Sequence, residues 1–250
     1  MPVSWRYRYS RYPIKTLQIC WKHLKKNLQN RLIKKQRSLK ILRADPIHPW
    51  HDLIDEAARV IRKGGVVCFP TRHLYGLGAD AFNADAVDRI FEIKRRPDDK
   101  PLLVLIDKQY DIARLVKDVP YAAARIMECF WPGAITIVFK AKDILPINLT
   151  AGTEKIGVRM PEHPVALALT AAVHGPVTAT SANITGKSGC SRISDMDPLI
   201  TDELDLIIDV GTLKGGIGST VVDVTSGFPK IIREGAVSEK DIFTAVFQKR

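Results

Sequence analysis

Short apolar runs bounded by turn-forming residues recur along this chain of 250 residues and predict buried strands. Two of them, Val66–Phe69 and Leu102–Ile106, contain β-branched residues and lie next to Gly or Pro, as expected of strands inside a sheet. The same pattern predicts further strands at residues 134–139, 156–160, 177–180, 206–209, 220–224 and 230–233. These runs indicate that a sheet forms the centre of the fold.

Between the runs, apolar residues three and four positions apart predict helices that pack on this sheet. These helices are predicted at residues 53–63, 84–96, 110–116, 121–130 and 164–173, with a last helix capped at about residue 238. Gly64 and Pro97 end two of them, and Pro164 can open another. Because strands and helices alternate irregularly, the sequence predicts an α/β fold in one domain, with a mixed, twisted sheet.

A cluster of cations follows the first glycine-rich segment. The segment Thr71–Asn83, predicted to be a loop, carries Gly76 and Gly78, which allow the backbone to approach a ligand closely. Lys94–Arg96 then occupy the last turn of the predicted helix, and Lys100 follows them. Cations in a last turn can simply complement the helix dipole. Their position at a strand end of an α/β sheet favours instead an anionic ligand, most naturally phosphate.

Other polar residues also follow apolar strands. Ser181–Asn183 and Ser219 come after strand or glycine-rich segments, where they form either ordinary turns or loops that bind phosphate through backbone donors. Arg159 and Arg233 each end an otherwise apolar strand. A buried guanidinium needs an anionic partner, which is a carboxylate of this chain or of a ligand. Two such arginines together with two such loops favour the ligand.

Three motifs carry a resemblance to a known family. They are PTRHLYGLGADAFN at residues 70–83, KRRP with the following KPL at residues 94–102, and TSAN at residues 180–183. In this order, and over about residues 53–245, the chain resembles the YrdC-like threonylcarbamoyl-adenylate synthases. The resemblance implies the YrdC-like fold, an open sheet around a concave groove. It also implies condensation of L-threonine, bicarbonate or CO2, and ATP into threonylcarbamoyl-AMP and pyrophosphate.

The resemblance further implies roles for individual residues, and no side-chain nucleophile is among them. ATP would be bound by Lys94, Arg96, Lys100, Ser181, Asn183 and Arg233. L-threonine would be bound by Arg159, Ala179 and Ser219, and we add His73 of this chain to the same pocket. Lys94 and Arg96 would act electrostatically, and Mg2+ would be held mainly by the phosphates of ATP. The product would pass to the machinery that transfers the threonylcarbamoyl group to adenosine 37 of tRNA.

The chain departs from the family pattern at the amino-acid pocket. Where the pattern PT-[DE]-T-x-YGL has an acid and a hydroxyl, this chain has Arg72 and His73, and Leu105 replaces a histidine. Either the pocket has lost its donors and takes another substrate, or His73 supplies an imidazole from the opposite wall. The presence of Arg159 and of both serine-bearing loops favours the second interpretation.

The formal net charge of +11 belongs to the start of the chain. Residues 1–44 contain thirteen of the 38 Lys and Arg residues and none of the 27 Asp and Glu residues, so residues 45–250 carry a formal charge of −2. We therefore predict a disordered basic extension, 1–44, before a catalytic domain, 45–250. Three interpretations of the extension remain open: a targeting segment, which would be mitochondrial, an arm that contacts RNA, or a segment without a role.

The remaining composition narrows the functional classes. Four cysteines without a CxxC pair and six histidines without a ligand pattern indicate neither a disulfide framework nor a metal held by side chains alone. No apolar run reaches the length of a membrane span, so we expect a cytoplasmic protein without a membrane partner. An RNA-binding module that uses the groove or the extension is the alternative, weakened by the charge of −2. Carbamoyl transfer of the hydrogenase-maturation type would require further domains and cysteines.

Overall fold

The computed structural model describes residues 39–48 and 50–247 of the chain. In this part, ten strands form one mixed sheet. They are β1 (Lys40–Arg43), β2 (Val67–Pro70), β3 (Tyr75–Gly78), β4 (Leu103–Leu105), β5 (Ile135–Lys140), β6 (Lys155–Arg159), β7 (Val177–Ser181), β8 (Leu206–Asp209), β9 (Thr220–Asp223) and β10 (Lys230–Arg233). Their spatial order is β1-β8-β2-β3-β7-β4-β6-β5-β9-β10. Four neighbouring pairs are parallel, namely β1 with β8, β8 with β2, β4 with β6, and β5 with β9.

Seven α-helices accompany the sheet in the described residues. They are α1 (His51–Arg62), α2 (Ala84–Lys94), α3 (Tyr121–Phe130), α4 (Ile147–Thr150), α5 (Pro164–Val173), α6 (Pro198–Thr201) and α7 (Glu239–Phe247), and two 3-10 helices span Gln109–Arg114 and Ile193–Asp195. Asn83 caps α2 through its side-chain oxygen, which accepts from the amide of Ala86 at 3.2 Å. Arg95 ends that helix in the left-handed conformation, with φ 48°. No described helix has both the length and the apolar character needed to cross a bilayer.

The two faces of the sheet are covered unequally. One face packs against α2, α3 and α7 in a core that includes Ile90, Ile126 and Ile242. On the other face, α1 and α5 form a second core with Phe69 and Leu105. Helices α1 and α5 cover the half of this face around β2 and β8, and a groove lies over the half around β4, β5, β6 and β9.

Most strands and helices lie where the sequence predicts them, and the main error of the prediction concerns β3. The segment Thr71–Asn83 was predicted to be a loop, whereas Tyr75–Gly78 pair with β2 and β7. Gly78 has a packing reason, because a Cβ there would lie 2.6 Å from the ring of Phe69. Glycine is a poor strand former, so its presence hid this strand. The helix predicted at 110–116 is a 3-10 helix, and α4 and α6 were not predicted.

The sheet begins earlier than the predicted domain boundary. Lys40–Arg43, which we placed in the basic extension, pair in parallel with β8. The amide of Ala44 continues this pairing to the carbonyl of Asp209 at 2.8 Å, and Lys40 forms an ion pair with Glu56. The folded unit therefore includes residues 40–44. The predictions for residues 1–38 fall outside the described part of the chain.

One connection, residues 210–219, joins β8 to β9, which are second and ninth in the strand order. Its glycines Gly211, Gly215 and Gly216 have φ of 82°, 70° and 114°, values that other residues rarely adopt. The amide of Gly215 donates to the carbonyl of His73 at 3.0 Å. The connection therefore passes beside the β2–β3 turn on its way across the open half of the sheet.

Candidate active site in the groove of the sheet

The groove encloses about 630 Å³, within the range of small-molecule sites. Its floor is made of residues at alternate positions of four strands, because successive side chains of a strand point to opposite faces. These floor residues are Leu103 and Leu105 of β4, Thr136 and Val138 of β5, Lys155, Gly157 and Arg159 of β6, and Val221 and Asp223 of β9. The intervening residues of the same strands, such as Val158 and Val222, pack in the core on the other face.

Arg159 lies at one end of this floor. Its Nε donates to the carbonyl oxygen of Gly133 at 2.7 Å, which fixes the direction of the guanidinium. Burial lowers the pKa of Arg159 to about 10, with Glu162 opposing the shift and Arg72 and Arg233 adding to it. The side chain remains protonated at neutral pH, so it offers a partly desolvated cation to an anionic ligand.

His73 lies on the wall next to Arg159, in the turn between β2 and β3. Burial lowers the pKa of His73, the guanidinium of Arg72 lowers it further, and Glu162 opposes them. The imidazole is therefore neutral at pH 7. Its Nδ1 is buried, and no hydrogen-bond partner for it lies among the described residues. A Cβ on Gly216 would stand 3.8 Å from this atom, so the β8–β9 connection covers the ring on that side.

Ser219 and Arg233 form the opposite wall. Ser219 is 6% exposed, and its Oγ lies 2.9 Å from Oγ1 of Thr136. Arg233, on the edge strand β10, donates to the carbonyl oxygen of Ser219 at 2.8 Å. Since Gly218 packs beside the same guanidinium, the end of the β8–β9 connection holds both residues against the groove.

Arg96 also lines the groove, and the backbone after α2 orients it. Its Nε donates to the carbonyl oxygen of Lys100 at 2.9 Å, and one terminal nitrogen donates to that of Pro101 at 2.8 Å. Burial lowers the pKa of Arg96, against the effect of Asp99. Lys100 itself is exposed, and its side chain is not part of the groove lining. Its contribution in this structure is the carbonyl oxygen that positions Arg96.

Lys94 is 2% exposed and lies behind the groove rather than in it. Its Nζ donates to the carbonyl oxygens of Ser181 at 2.5 Å and Asn183 at 2.7 Å. Burial lowers the pKa of Lys94 to about 8, and Arg96 contributes to the shift. The side-chain nitrogen of Asn183 donates to the carbonyl of Lys187, within the same turn. Lys94 and Asn183 thus hold the turn that presents Ser181 to the groove.

The structure brings together seven of the ten site residues that the sequence analysis predicts. Those that line the groove are His73, Arg96, Arg159, Ala179, Ser181, Ser219 and Arg233. Lys94, Lys100 and Asn183 lie outside the lining. Leu105 is 2% exposed and contributes an apolar surface to the floor, as expected of a residue that cannot donate a hydrogen bond.

Sequence reasoning missed an ion pair at the other end of the floor. Nζ of Lys155 lies 2.8 Å from Oδ2 of Asp223, and both side chains line the groove. Lys155, Gly157 and Arg159 share one face of β6 because they are two residues apart. This alternation was visible in the sequence, but Lys155 lies one residue before the predicted start of the strand. Among the described residues, no group of three or more His, Cys, Asp or Glu could hold a metal ion.

Comparison with known proteins agrees with this geometry. The Sua5/YciO/YrdC family model, described as "Telomere recombination", matches residues 59–235. The threonylcarbamoyl-AMP synthase of Pyrococcus abyssi is 38% identical over 186 residues, which are 74% of this chain and 55% of that protein. That of Pseudomonas putida is 34% identical over 185 residues, or 73% of this chain and 97% of that protein.

A solved structure extends the comparison to three dimensions. The structure of Pyrococcus abyssi Sua5 complexed with L-threonine has a TM-score of 0.77 and 35% identity, and the match covers 84% of this chain and 62% of that chain. This chain therefore spans about half to two thirds of the length of its Pyrococcus relative. Since the family match includes nine of the ten strands and every wall of the groove, the chain belongs to the Sua5/YciO/YrdC family.

Proposed function

We propose that this chain synthesises L-threonylcarbamoyl-AMP from L-threonine, bicarbonate or CO2, and ATP. The observation that carries the proposal is the convergence of Arg159 and Ser219 with Arg96, Ser181 and Arg233 on one groove. The first two suit an amino acid, and the last three suit a triphosphate. Relatives named threonylcarbamoyl-AMP synthase, one of which this chain covers over 97% of its length, support the same activity.

The end of the groove around Arg159 and Ser219, called here its amino-acid end, would bind the polar groups of threonine. The guanidinium of Arg159 would receive the carboxylate, as a planar donor that matches two oxygens. The hydroxyl of Ser219, which is paired with that of Thr136, would contact the same ligand. A neutral His73 would accept a hydrogen bond from the threonine hydroxyl or amine. Leu105 and Ala179 would pack against the methyl group.

The reaction needs positioning more than it needs a side-chain nucleophile. The threonine amine adds to CO2 and loses a proton, which gives a carbamate. A carbamate oxygen then attacks the α-phosphorus of ATP, the bond from that phosphorus to the bridging oxygen breaks, and pyrophosphate leaves. Arg96 and Arg233 would neutralise the charge that develops on the phosphates, and Lys155 adds a third cation to the groove.

Mg2+ would be held mainly by ATP. Asp223 is the one carboxylate among the described lining residues, and it is already paired with Lys155. This donor set is too small for a cage built from side chains alone, whereas Mg2+ bound to nucleotides commonly takes phosphate oxygens and few protein ligands. The ion would supply charge neutralisation on the phosphates when it is bound.

The product indicates the partners that we propose. Threonylcarbamoyl-AMP is an activated intermediate, so a downstream tRNA threonylcarbamoyl-transfer machinery must consume it. We propose that this occurs in the cytoplasm, with mitochondria as the alternative if residues 1–44 direct import. Contact with RNA through the groove or the extension would serve the transfer step.

The test uses the full chain with ATP, bicarbonate and labelled L-threonine. We expect one pyrophosphate released for each threonylcarbamoyl-AMP, identified by mass spectrometry. Arg96→Ala should weaken ATP binding at least about tenfold, the lower range for hydrogen bonds to a charged group. Arg125→Ala is the matched control, since Arg125 pairs with Glu128 on α3. A folded chain that binds ATP but releases no pyrophosphate with threonine would contradict the proposal.

A further inference from the structure

An ion pair at the amino-acid end of the groove joins a lining residue, Arg72, to Glu162, which lies just outside the lining. Nε of Arg72 lies 2.7 Å from Oε1 of Glu162. Arg72 belongs to the turn between β2 and β3, and Glu162 to the connection between β6 and α5. The side chains are 40% and 36% exposed, so the pair lies at the rim rather than in the core.

A second guanidinium, that of Arg159, lies near this ion pair at the same end of the groove. Arg72 and Arg159 both line it, and Arg72 lowers the pKa of Arg159, which means that the two cations are close enough to interact. Within the described residues, the carboxylate of Glu162 pairs with Arg72, and no carboxylate lies within ion-pair distance of Arg159. Arg159 is thus available to an anionic ligand, whereas Arg72 already has an anionic partner.

From this arrangement we propose that Arg72 and Glu162 determine which amino acid the groove accepts, an inference that rests on the proposed function. Glu162 pairs with Arg72, and the proposed function assigns Arg96 and Arg233 to the phosphates, so Arg159 is the guanidinium that remains for the single carboxylate of an amino acid. An amino acid with a second carboxylate would have to displace Glu162 from Arg72 or leave its own charge unpaired in a partly desolvated site, which is unfavourable. The ion pair therefore excludes aspartate and glutamate.

The chemistry of the reaction does not itself exclude these substrates. L-aspartate has the same α-amine, which can add to CO2, and the resulting carbamate can attack the α-phosphorus of ATP with loss of pyrophosphate. Discrimination must therefore come from the pocket. Removing the charge of Glu162 leaves Arg72 as a second binding site for a carboxylate on the same wall.

The experiment compares products formed from equimolar L-threonine and L-aspartate, with ATP and bicarbonate, by mass spectrometry of the carbamoyl adenylates. Glu162→Gln should raise the ratio of aspartate product to threonine product at least about tenfold over wild type, the effect of one hydrogen bond to a charged group. Adding Arg72→Met to that variant should return the ratio toward the wild-type value. Glu56→Gln, which breaks a surface ion pair with Lys40 away from the groove, is the control and should not move it.

The exchange of charges, Arg72→Glu with Glu162→Arg, separates this role from a role in folding. It restores an ion pair but places its cation on the connection between β6 and α5, outside the groove lining, so the low wild-type ratio should return if neutralisation is what excludes aspartate. An unchanged product ratio in Glu162→Gln, in a protein that still makes the threonine product, would overturn the inference. A wild-type chain that makes no threonine product would instead overturn the proposed function.

Discussion

Replacing Arg159 by Met should separate the stability of the fold from the binding of threonine. Burial lowers the pKa of the Arg159 guanidinium to about 10, so its charged form is destabilised by at most about 3 kcal/mol, less where solvent reaches it. Because folding lowers the pKa of this base, the charged form opposes folding at every pH below about 10, and a neutral side chain removes that penalty.

The lost hydrogen bond acts in the other direction. Arg159→Met removes the Nε donor of the carbonyl oxygen of Gly133, 2.7 Å away, which costs about 1 to 3 kcal/mol if that oxygen stays unpaired. The two effects roughly offset each other, so we expect the melting temperature to change by less than about 6 °C, at about 2–4 °C per kcal/mol for a chain of this size.

Threonine binding should show a much larger change. Loss of paired hydrogen bonds between the guanidinium and the carboxylate should raise the threonine KM at least about 100-fold, or about 2.7 kcal/mol. Arg159→Lys should give an intermediate value, since it keeps the charge but loses the planar fork. ATP affinity, measured by calorimetry without threonine, should stay close to wild type.

Thermal unfolding with and without L-threonine gives the decisive comparison. Wild type should melt at a higher temperature when threonine is present, and Arg159→Met should not. Arg125→Met on α3 is the matched control for the loss of an arginine. If Arg159→Met keeps the full threonine-induced shift, the carboxylate binds elsewhere and the assignment of this end of the groove is refuted.

Three further predictions follow from other parts of the fold. His73→Ala should raise the threonine KM about tenfold, with ATP affinity unchanged; equal KM values would remove His73 from the pocket. The pKa of Lys94 is lowered to about 8 in the folded chain. Between about pH 8 and 10.5 the unfolded chain therefore binds more protons at Lys94 than the folded chain does, and the free energy of unfolding of wild type, relative to Lys94→Met, should rise with pH. Denaturant unfolding of both proteins across this pH range checks the prediction, and a difference in unfolding free energy that does not change with pH would contradict it. Deleting residues 1–38 should leave turnover within a factor of about three, whereas deleting 1–44 removes β1 and should also lower the melting temperature; equal melting temperatures would show that β1 contributes nothing.

The parts of the fold that the sequence predicted well have strong local signals. Helix α5 begins at Pro164 and α3 ends before Trp131 and Pro132, as predicted, because proline fixes or excludes backbone conformations regardless of the rest of the fold. Arg159 and Ser219 were found for a different reason. Arg159 ends an apolar strand and Ser219 follows a glycine-rich segment just before another, and polar residues at strand ends of an α/β sheet are expected to share a site.

The remaining features depend on contacts between distant segments. Spacing along α2 could not show that Lys94 is buried while Arg96 faces the groove, since the turn of Ser181 and Asn183 decides it. The sequence predicts Gly78 in a loop that approaches a ligand, but the ring of Phe69 is what requires its small size. Glu162 had no signal at all, because its partner Arg72 is 90 residues away in the sequence.

The connection between β8 and β9 sets a mechanical limit on the groove. Seven strand-to-strand steps separate these strands, which is about 34 Å in a flat sheet. Ten residues reach at most about 36 Å when fully extended, and this connection turns at three of its four glycines. The sheet must therefore be curved, and the connection limits how far apart its two halves can lie on either side of the groove. Each residue inserted there would let the two halves of the sheet move apart by up to about 3.6 Å, so the length of this connection, besides side-chain chemistry, limits how large a ligand the groove can enclose.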